Sequence, residues 1–290
     1  MYAVMGATGK TGGAVLAELR RRGARVRVLA RDPDRARHLA AKDVELVSAD
    51  LADPDGLAEA MEGAEGAYVL LPPDPQAADA LAAGRAQAQA IAQAVTSAGL
   101  PHVVALSSGG AHLHRGTGLI RTLYELEGAL CRTEVAATLV RACDFMENWS
   151  LLLPGAVENG VLASPRLPLD AKMQMVSAED VGRIAAACLL EPDGDLRIVD
   201  VLGPEDYAPQ DVADAVGRVA GRPVRAVPLP GEALYQALVG AGIGPDYARG
   251  TVEIYEGLNS GRIRFEEGVG EIRRGSVTLD EAVRRMLTAG

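Results

Sequence analysis

The sequence predicts an α/β fold, a doubly wound parallel sheet with a smaller α/β lobe at its C-terminal end. Three observations carry that expectation. Short apolar runs alternate with amphipathic or alanine-rich segments from Tyr2 as far as Arg141. The first run ends in Gly6-Ala7-Thr8-Gly9-Lys10-Thr11-Gly12 and leads straight into a helical segment. The chain is 48% hydrophobic yet holds 2 Phe and 1 Trp, so Ala, Val and Leu must fill the core. Strict strand and helix alternation gives parallel strands joined by right-handed crossovers.

Tyr2–Met5 reads as a strand, about Lys10–Arg22 as a helix, and Arg25–Leu29 as a second strand. The glycines between the first strand and the helix have separate tasks. Gly6 turns the chain off the strand, Gly9 admits a pyrophosphate close to the backbone, and Gly12 lets the helix pack on the sheet. The helix then presents its free N–H groups and positive dipole end to the phosphates. This is the phosphate-binding half of a Rossmann dinucleotide fold. A nucleoside-triphosphate P-loop is excluded by spacing, because its first glycine would fall on Val4.

The second strand runs into Arg31, with Arg35 one turn on, where a carboxylate would hold the ribose 2′-hydroxyl of NAD. An arginine there suits the 2′-phosphate of NADP, so NADP(H) is the expected cofactor. Val44–Ser48 is a third strand, and Asp50 just past it is placed to meet an adenine or to form a turn. Asp53 then caps a helix with Pro54 at its first position. Gly66–Leu71 is a buried strand stopped by Pro72-Pro73. An alanine-rich helix from about Asp79 to Ala98 ends at Gly99. His102–Leu106 delivers Ser107-Ser108 to the carboxyl edge, and a helix over about Gly118–Arg132 precedes the strand Ala137–Arg141.

Beyond Asp144 the alternation breaks. Short strands are expected at Val161–Ala163, Arg197–Leu202 and Val224–Val227. Helices are expected at Ala178–Leu190, Gln210–Ala220, Gly231–Ala241, Tyr247–Asn259 and Leu279–Ala289. The division is therefore 1–150 for a nucleotide-binding domain, with some strands and helices from the second half, and 151–290 for a substrate lobe closing a cleft.

The net charge of −10 argues against a general nucleic-acid surface. No apolar run reaches about 18–20 residues, so no membrane span is expected. The N-terminal strand leaves no room for a signal peptide, and a cytoplasmic monomer or homodimer is expected. Cys131, Cys143 and Cys188 read as reduced, buried small hydrophobes. His112-x-His114 is too thin a donor set for a metal, and none is expected.

Several segments together resemble the NmrA-like branch of the atypical short-chain dehydrogenases/reductases. They are Gly6-x-x-Gly9-x-x-Gly12, Arg31, Leu70–Pro73, Ser107-Ser108 and Glu127. Arg141 with Phe145-Met146-Glu147-Asn148, Val176–Val181, Gly203-Pro-Glu-Asp and Gly221-Arg-Pro-Val complete the set. The resemblance spans nearly the whole chain. It implies a Rossmann domain with a small substrate lobe and a preference for NADP. It also implies that Gly6 to Gly12, with Ala7, Thr8, Lys10 and Thr11 among them, hold the pyrophosphate, and Arg31 the 2′-phosphate. Asp50 and Leu51 would border the adenine, and Leu71, Pro72 and Pro73 the inner ribose. Ala142 to Phe145, Cys143 included, would lie beside the nicotinamide, and Ser107 would also bind the cofactor. Ser108, Phe145, Met146, Asn148 and Trp149 would line the substrate pocket.

The wider superfamily uses a tyrosine acid with a lysine four residues on. This chain has only Lys10, Lys42 and Lys172, and none follows a tyrosine at that spacing. A positioned acid or base contributes roughly 10²–10⁴-fold, so ordinary ketone reduction is disfavoured. Hydride transfer to an activated acceptor leans more on geometry and cofactor placement. Tyr124 and His112 are the candidate proton donors left. The sequence thus points to NADPH-dependent reduction of a quinone-like or polyketide-like aromatic molecule, a reaction at home in secondary metabolism. The alternatives are a non-catalytic NADP(H)-binding redox sensor and a biosynthetic enzyme of non-redox type on the same fold.

Overall fold

A computed structural model describes residues 1–288. Ala289, at the predicted end of the last helix, lies outside the described residues. The chain runs β1 (Tyr2–Met5), α1 (Lys10–Arg21), β2 (Val26–Ala30), β3 (Val44–Ser48), α2 (Pro54–Met61), β4 (Gly66–Val69) and α3 (Ala80–Ser97). It continues through β5 (His102–Ser108), α4 (Ile120–Leu130), β6 (Ala136–Ala142), β7 (Asp144–Phe145), α5 (Leu153–Asn159), β8 (Val161–Ser164), β9 (Met173–Val176) and α6 (Ala178–Leu190). The remainder is β10 (Leu196–Leu202), β11 (Asp206–Tyr207), α7 (Pro209–Ala220), β12 (Arg225–Pro228), α8 (Gly231–Gly240), α9 (Pro245–Asn259), β13 (Glu271–Arg274) and α10 (Leu279–Thr288).

The main sheet has 8 strands in the order β13-β10-β6-β5-β4-β1-β2-β3. Every pairing in it is parallel. The chain winds outward from β1 through β2 to β3, then restarts at β4 on the other side of β1. That reversal makes the β1/β4 junction the switch point, where open parallel sheets bind ligands at their carboxyl edge. One face of the sheet is covered by apolar residues of α2, α3 and α4, such as Leu57, Ile91 and Leu126. The other is covered by α1 and α6, through Val15, Leu19, Val181 and Leu189.

The α1–α6 contact is unusually close because Gly182 carries no side chain. A Cβ there would come within 2.4 Å of the Ala14 Cβ and 2.6 Å of the Thr11 carbonyl oxygen. Several helices begin with a capping side chain. Asp53 accepts from Gly56 N, Asp79 from Ala82 N, and Ser177 from Asp180 N. At α1 the N-cap is Gly9, with no side-chain cap. Its first N–H groups are left for something other than the chain.

The smaller lobe has its own core, built from Met146, Trp149, Leu153, Leu162, Val212, Val216 and Val283 among others. Two small sheets, β11-β9-β7 and β12-β8, frame it. Two segments from the second half of the chain join the main sheet and its helical cover. β10 pairs with β6 over Leu196–Val201, and α6 packs on α1. The edge strand β13 escaped the sequence reading altogether, since Glu271-Ile-Arg-Arg274 is mostly charged and Ile272 is exposed. Cys188 is buried as expected and Cys143 is partly so, but Cys131 is exposed. No helix among the described residues is long and apolar enough to cross a membrane.

Candidate functional site

Three adjoining hollows lie along the carboxyl edge of the sheet. The first is a crevice of about 540 Å³ at the switch point, bounded by Gly6, Ala7 and Thr8 after β1 and Leu70 after β4. Gly6 has φ +65°, so it makes the turn that other residues rarely adopt. A Cβ on Gly12 would sit 2.3 Å from the Gly6 carbonyl oxygen, so only glycine brings α1 this close to the turn. Gly9 donates to Gly6 O at 2.9 Å and closes the loop. Thr8, Gly9 and Lys10 are solvent-exposed, and the uncapped start of α1 faces whatever fills the loop.

At the far end of the crevice stand Arg31 and Arg35. Both are exposed, and neither has a carboxylate within 4.0 Å among the described residues. The neighbouring charges are already committed, with Asp34 paired to Arg37 at 2.9 Å and Asp32 accepting from Asp34 N. Asp50 and Leu51, expected at the adenine, and Pro72 and Pro73, expected at the inner ribose, complete this wall. Asp50 makes the turn as well, because its Oδ1 accepts from Ala52 N at 2.9 Å. The residues fit a dinucleotide phosphate by two independent observations, the cradle that a Cβ would fill and the pair of unspent guanidinium groups.

The second hollow, of about 390 Å³, lies where β5 and β6 end. Ser108, Phe145 and Asn148, expected at the substrate, line it together with Leu71, Ser107 and Cys143, expected at the cofactor. Asp144, within the Ala142 to Phe145 stretch expected beside the nicotinamide, also lines it, as do Arg166, Gln174 and Arg264, which no sequence reading singled out. A third hollow of about 520 Å³ opens outward from it, sharing Leu71, Ile120, Asp144 and Ile254 and adding Tyr247 and Tyr255 from α9.

The Phe-Met-Glu-Asn segment divides its side chains between different tasks. Phe145 faces the cavity, and Asn148 donates to Asp144 Oδ1 at 2.8 Å. Glu147 accepts from Ala178 N at 3.0 Å and so helps cap α6. Met146 and Trp149 do not line the pocket. They are buried in the lobe core, and the Trp149 indole donates to Met175 Sδ at 3.3 Å. The short turn spanning Met146–Trp149 rotates them away from the cleft.

Tyr124 and His112, the predicted proton donors, also lie elsewhere. They share a recess of about 200 Å³ on the outer side of α4 with Glu125, Gly128 and Cys131, separate from all three hollows. Tyr124 is 41% exposed, and burial pulls the His112 imidazole below its ordinary value. Neither reaches the cavity that would hold a substrate.

Beneath the cavity floor runs a buried charge network. Ser107 Oγ donates to Glu127 Oε1 at 2.5 Å. Arg141 grips the same carboxylate with Nε at 2.9 Å and Nη2 at 2.7 Å, and reaches Glu266 with Nη1 at 3.1 Å. Side-chain exposure is 4% for Arg141 and 9% for Glu127. Burial pushes the nearby Asp200 carboxyl up to about 6, against the pull of Arg141, and its Oδ1 has no partner. The Cys143 thiol is likewise pushed well up by burial, so it is a wall and not a nucleophile. Among the described residues no group of His, Cys, Asp and Glu could hold a metal.

Comparison with known proteins follows this geometry closely. Residues 2–260 match the NmrA-like family. The chain is 29% identical over 255 residues to the NAD(P)H azoreductase of Xenophilus azovorans, covering 88% of this chain and 86% of that one. It is 32% identical over 240 residues to the (4-alkanoyl-5-oxo-2,5-dihydrofuran-3-yl)methyl phosphate reductase of Streptomyces griseus subsp. griseus, covering 82% and 80%. Among solved structures, the NADPH-dependent quinone oxidoreductase of Escherichia coli complexed with NADPH superposes with a TM-score of 0.81 at 22% identity, covering 99% and 100%. With its Rossmann sheet, its glycine cradle and a match over most of its length, the chain belongs to the NmrA-like family.

Proposed function

We propose that the protein is an NADPH-dependent oxidoreductase that delivers hydride to a quinone-like or polyketide-like aromatic acceptor. The observation that carries this reading is the continuity of the three hollows. A crevice with a glycine cradle and free guanidinium groups shares Pro72, Pro73 and Asp74 with the outer hollow, which in turn shares Leu71, Ile120 and Asp144 with the cavity at the ends of β5 and β6. NADPH supplies the hydride when bound. Arg31 and Arg35 would hold the 2′-phosphate, and the Gly6–Gly12 turn and the start of α1 the pyrophosphate. Ser107 and Phe145 would flank the nicotinamide, while Leu106, Ile120, Leu123 and Ile263 exclude water from the acceptor.

The names of the relatives support a reductase, since they include an azoreductase and a quinone oxidoreductase. The absent Tyr-x-x-x-Lys dyad supports an acceptor that needs no strong acid in the hydride step. The test is NADPH oxidation, measured in parallel with NADH, against benzoquinones, naphthoquinones, azo dyes and aromatic ketones. Turnover with quinones and little with simple ketones is expected. Tight, selective NADP(H) binding with no turnover of any acceptor would establish the sensor reading instead.

A further inference from the structure

Between the second and third hollows lies a buried polar cluster outside the family's glycine, serine and Phe-Met-Glu-Asn positions. Arg166, in the loop after β8, has a side chain 10% exposed, and Asp144 beside it is 7% exposed. The pair is loose, with Arg166 Nε 3.5 Å from Asp144 Oδ2. The guanidinium is fixed from other directions. Nε donates to Met173 Sδ at 2.9 Å, and Nη1 to Asn259 Oδ1 at 3.1 Å. Asn259 is itself clamped, accepting from Leu167 N and donating to Pro165 O. Nη2 has no protein partner among the described residues, and the side chain lines the cavity. A thioether sulfur is a weak acceptor, so most of this buried cation's hydrogen-bonding capacity is unspent.

We propose that Arg166 is a catalytic residue that receives the acceptor oxygen which becomes negatively charged when hydride arrives, with the loosely paired Asp144 carboxylate tempering its charge. The inference rests on the reductase reading. Hydride breaks from the nicotinamide C4 and bonds to the acceptor, which gains both electrons. The acceptor's far oxygen is left as an oxyanion, paired with Arg166, and takes its proton from solvent on release. No side-chain acid is consumed, which accounts for a cleft without a tyrosine–lysine dyad. A fixed cation aimed at developing charge in a water-poor cavity is an effective catalyst. Burial pulls the Arg166 guanidinium below its ordinary value and Asp144 only partly opposes this, so an added anion is welcome. The Tyr255 phenol, pushed upward by burial and then by Asp144, is a poor proton donor here. The substrate class follows as a planar apolar molecule whose reduction creates a phenolate or enolate. Arg264, exposed at the same cavity, adds a screened attraction for such anions.

The probe is 4-nitrophenol, bound to the NADP⁺-loaded protein and titrated by its phenolate absorbance. Wild type is expected to bind phenolate roughly 10- to 100-fold more tightly than phenol, the range for a charge-assisted contact. Arg166→Met removes the preference, Arg166→Lys keeps part of it, and Asp144→Asn strengthens it by taking away the competing carboxylate. The wild-type and Asp144→Asn measurements stand even if Arg166→Met does not fold. Equal binding of phenol and phenolate by wild type, or an unchanged preference in Arg166→Met, overturns the assignment. Quinone turnover without a phenolate preference would likewise remove Arg166 from the mechanism while leaving the reductase intact. An Arg166-dependent preference without turnover of any quinone would retain the anion site and sink the reductase reading.

Discussion

Replacing Glu127 by alanine removes the carboxylate that ties α4 to the ends of β5 and β6. Arg141 then loses two charge-assisted bonds, at 2.9 and 2.7 Å, with its side chain 4% exposed. Breaking a buried pair from one side costs about 3–5 kcal/mol, because a cation is left without compensation. Glu266 keeps one contact at 3.1 Å, but that carboxylate is 41% exposed and screened, so the lower end, about 3 kcal/mol, applies. At 290 residues, with about 2.1 cal/mol/K of unfolding entropy per residue, this lowers the melting temperature by roughly 5 °C. Ser107 loses its acceptor in the same variant, and the cavity floor it forms loosens. Calorimetric melting with NADP⁺ absent gives the stability loss, and quinone reduction below the melt gives the functional one. The double variant Glu127→Leu/Arg141→Met should recover part of the stability, since it removes the orphaned guanidinium, while Asp200 and Glu266 lose its pull. A melting shift under about 2 °C for Glu127→Ala would refute the reasoning that this pair is buried and mutually dependent.

Three further outcomes are expected. Arg31→Ala weakens NADPH binding by roughly tenfold while leaving NADH unchanged, and the loss shrinks in high salt because the group is exposed; titration calorimetry at two ionic strengths measures both. Gly12→Ala drives a Cβ into the Gly6 carbonyl and should abolish cofactor binding, whereas Gly221→Ala, where a Cβ would meet nothing, leaves binding intact despite its strained φ of +67°. Asp200 holds its proton more tightly folded than unfolded. Its contribution to stability is therefore fully present below the ordinary aspartate value of 3.8 and is lost as pH rises through about 6, and Asp200→Asn removes that part of the pH dependence of urea unfolding midpoints.

The first half of the fold was legible because each of its elements is locally specified. The strand Val44–Ser48 and the helix Ala178–Leu190 fall at their predicted bounds, since period and capping residues mark both. What a strand pairs with is not written in its own residues. Leu196–Leu202 reads as a strand anywhere, and only the crossover through α6 returns it to the main sheet beside β6. The crevice was readable for the same local reason, as a glycine spacing and an arginine at a strand end. The cavity was not. Phe145 and Asn148 face it while Met146 and Trp149, their immediate neighbours, fill the lobe core, and a single short turn gives no period to separate them. Arg166, Asp144 and Asn259 meet only through long-range packing between the loop after β8, β7 and the end of α9. The one available signal was a carboxylate at 144 set between Cys143 and Phe145, in an otherwise apolar stretch.

Single-turnover reduction bears most directly on the account. Protein loaded with one equivalent of NADPH is mixed anaerobically with excess naphthoquinone, and nicotinamide fluorescence is followed. Hydride transfer within the cleft predicts one exponential loss whose rate saturates with quinone and slows when the transferred hydrogen is deuterium. Loss no faster than in protein-free buffer would contradict it.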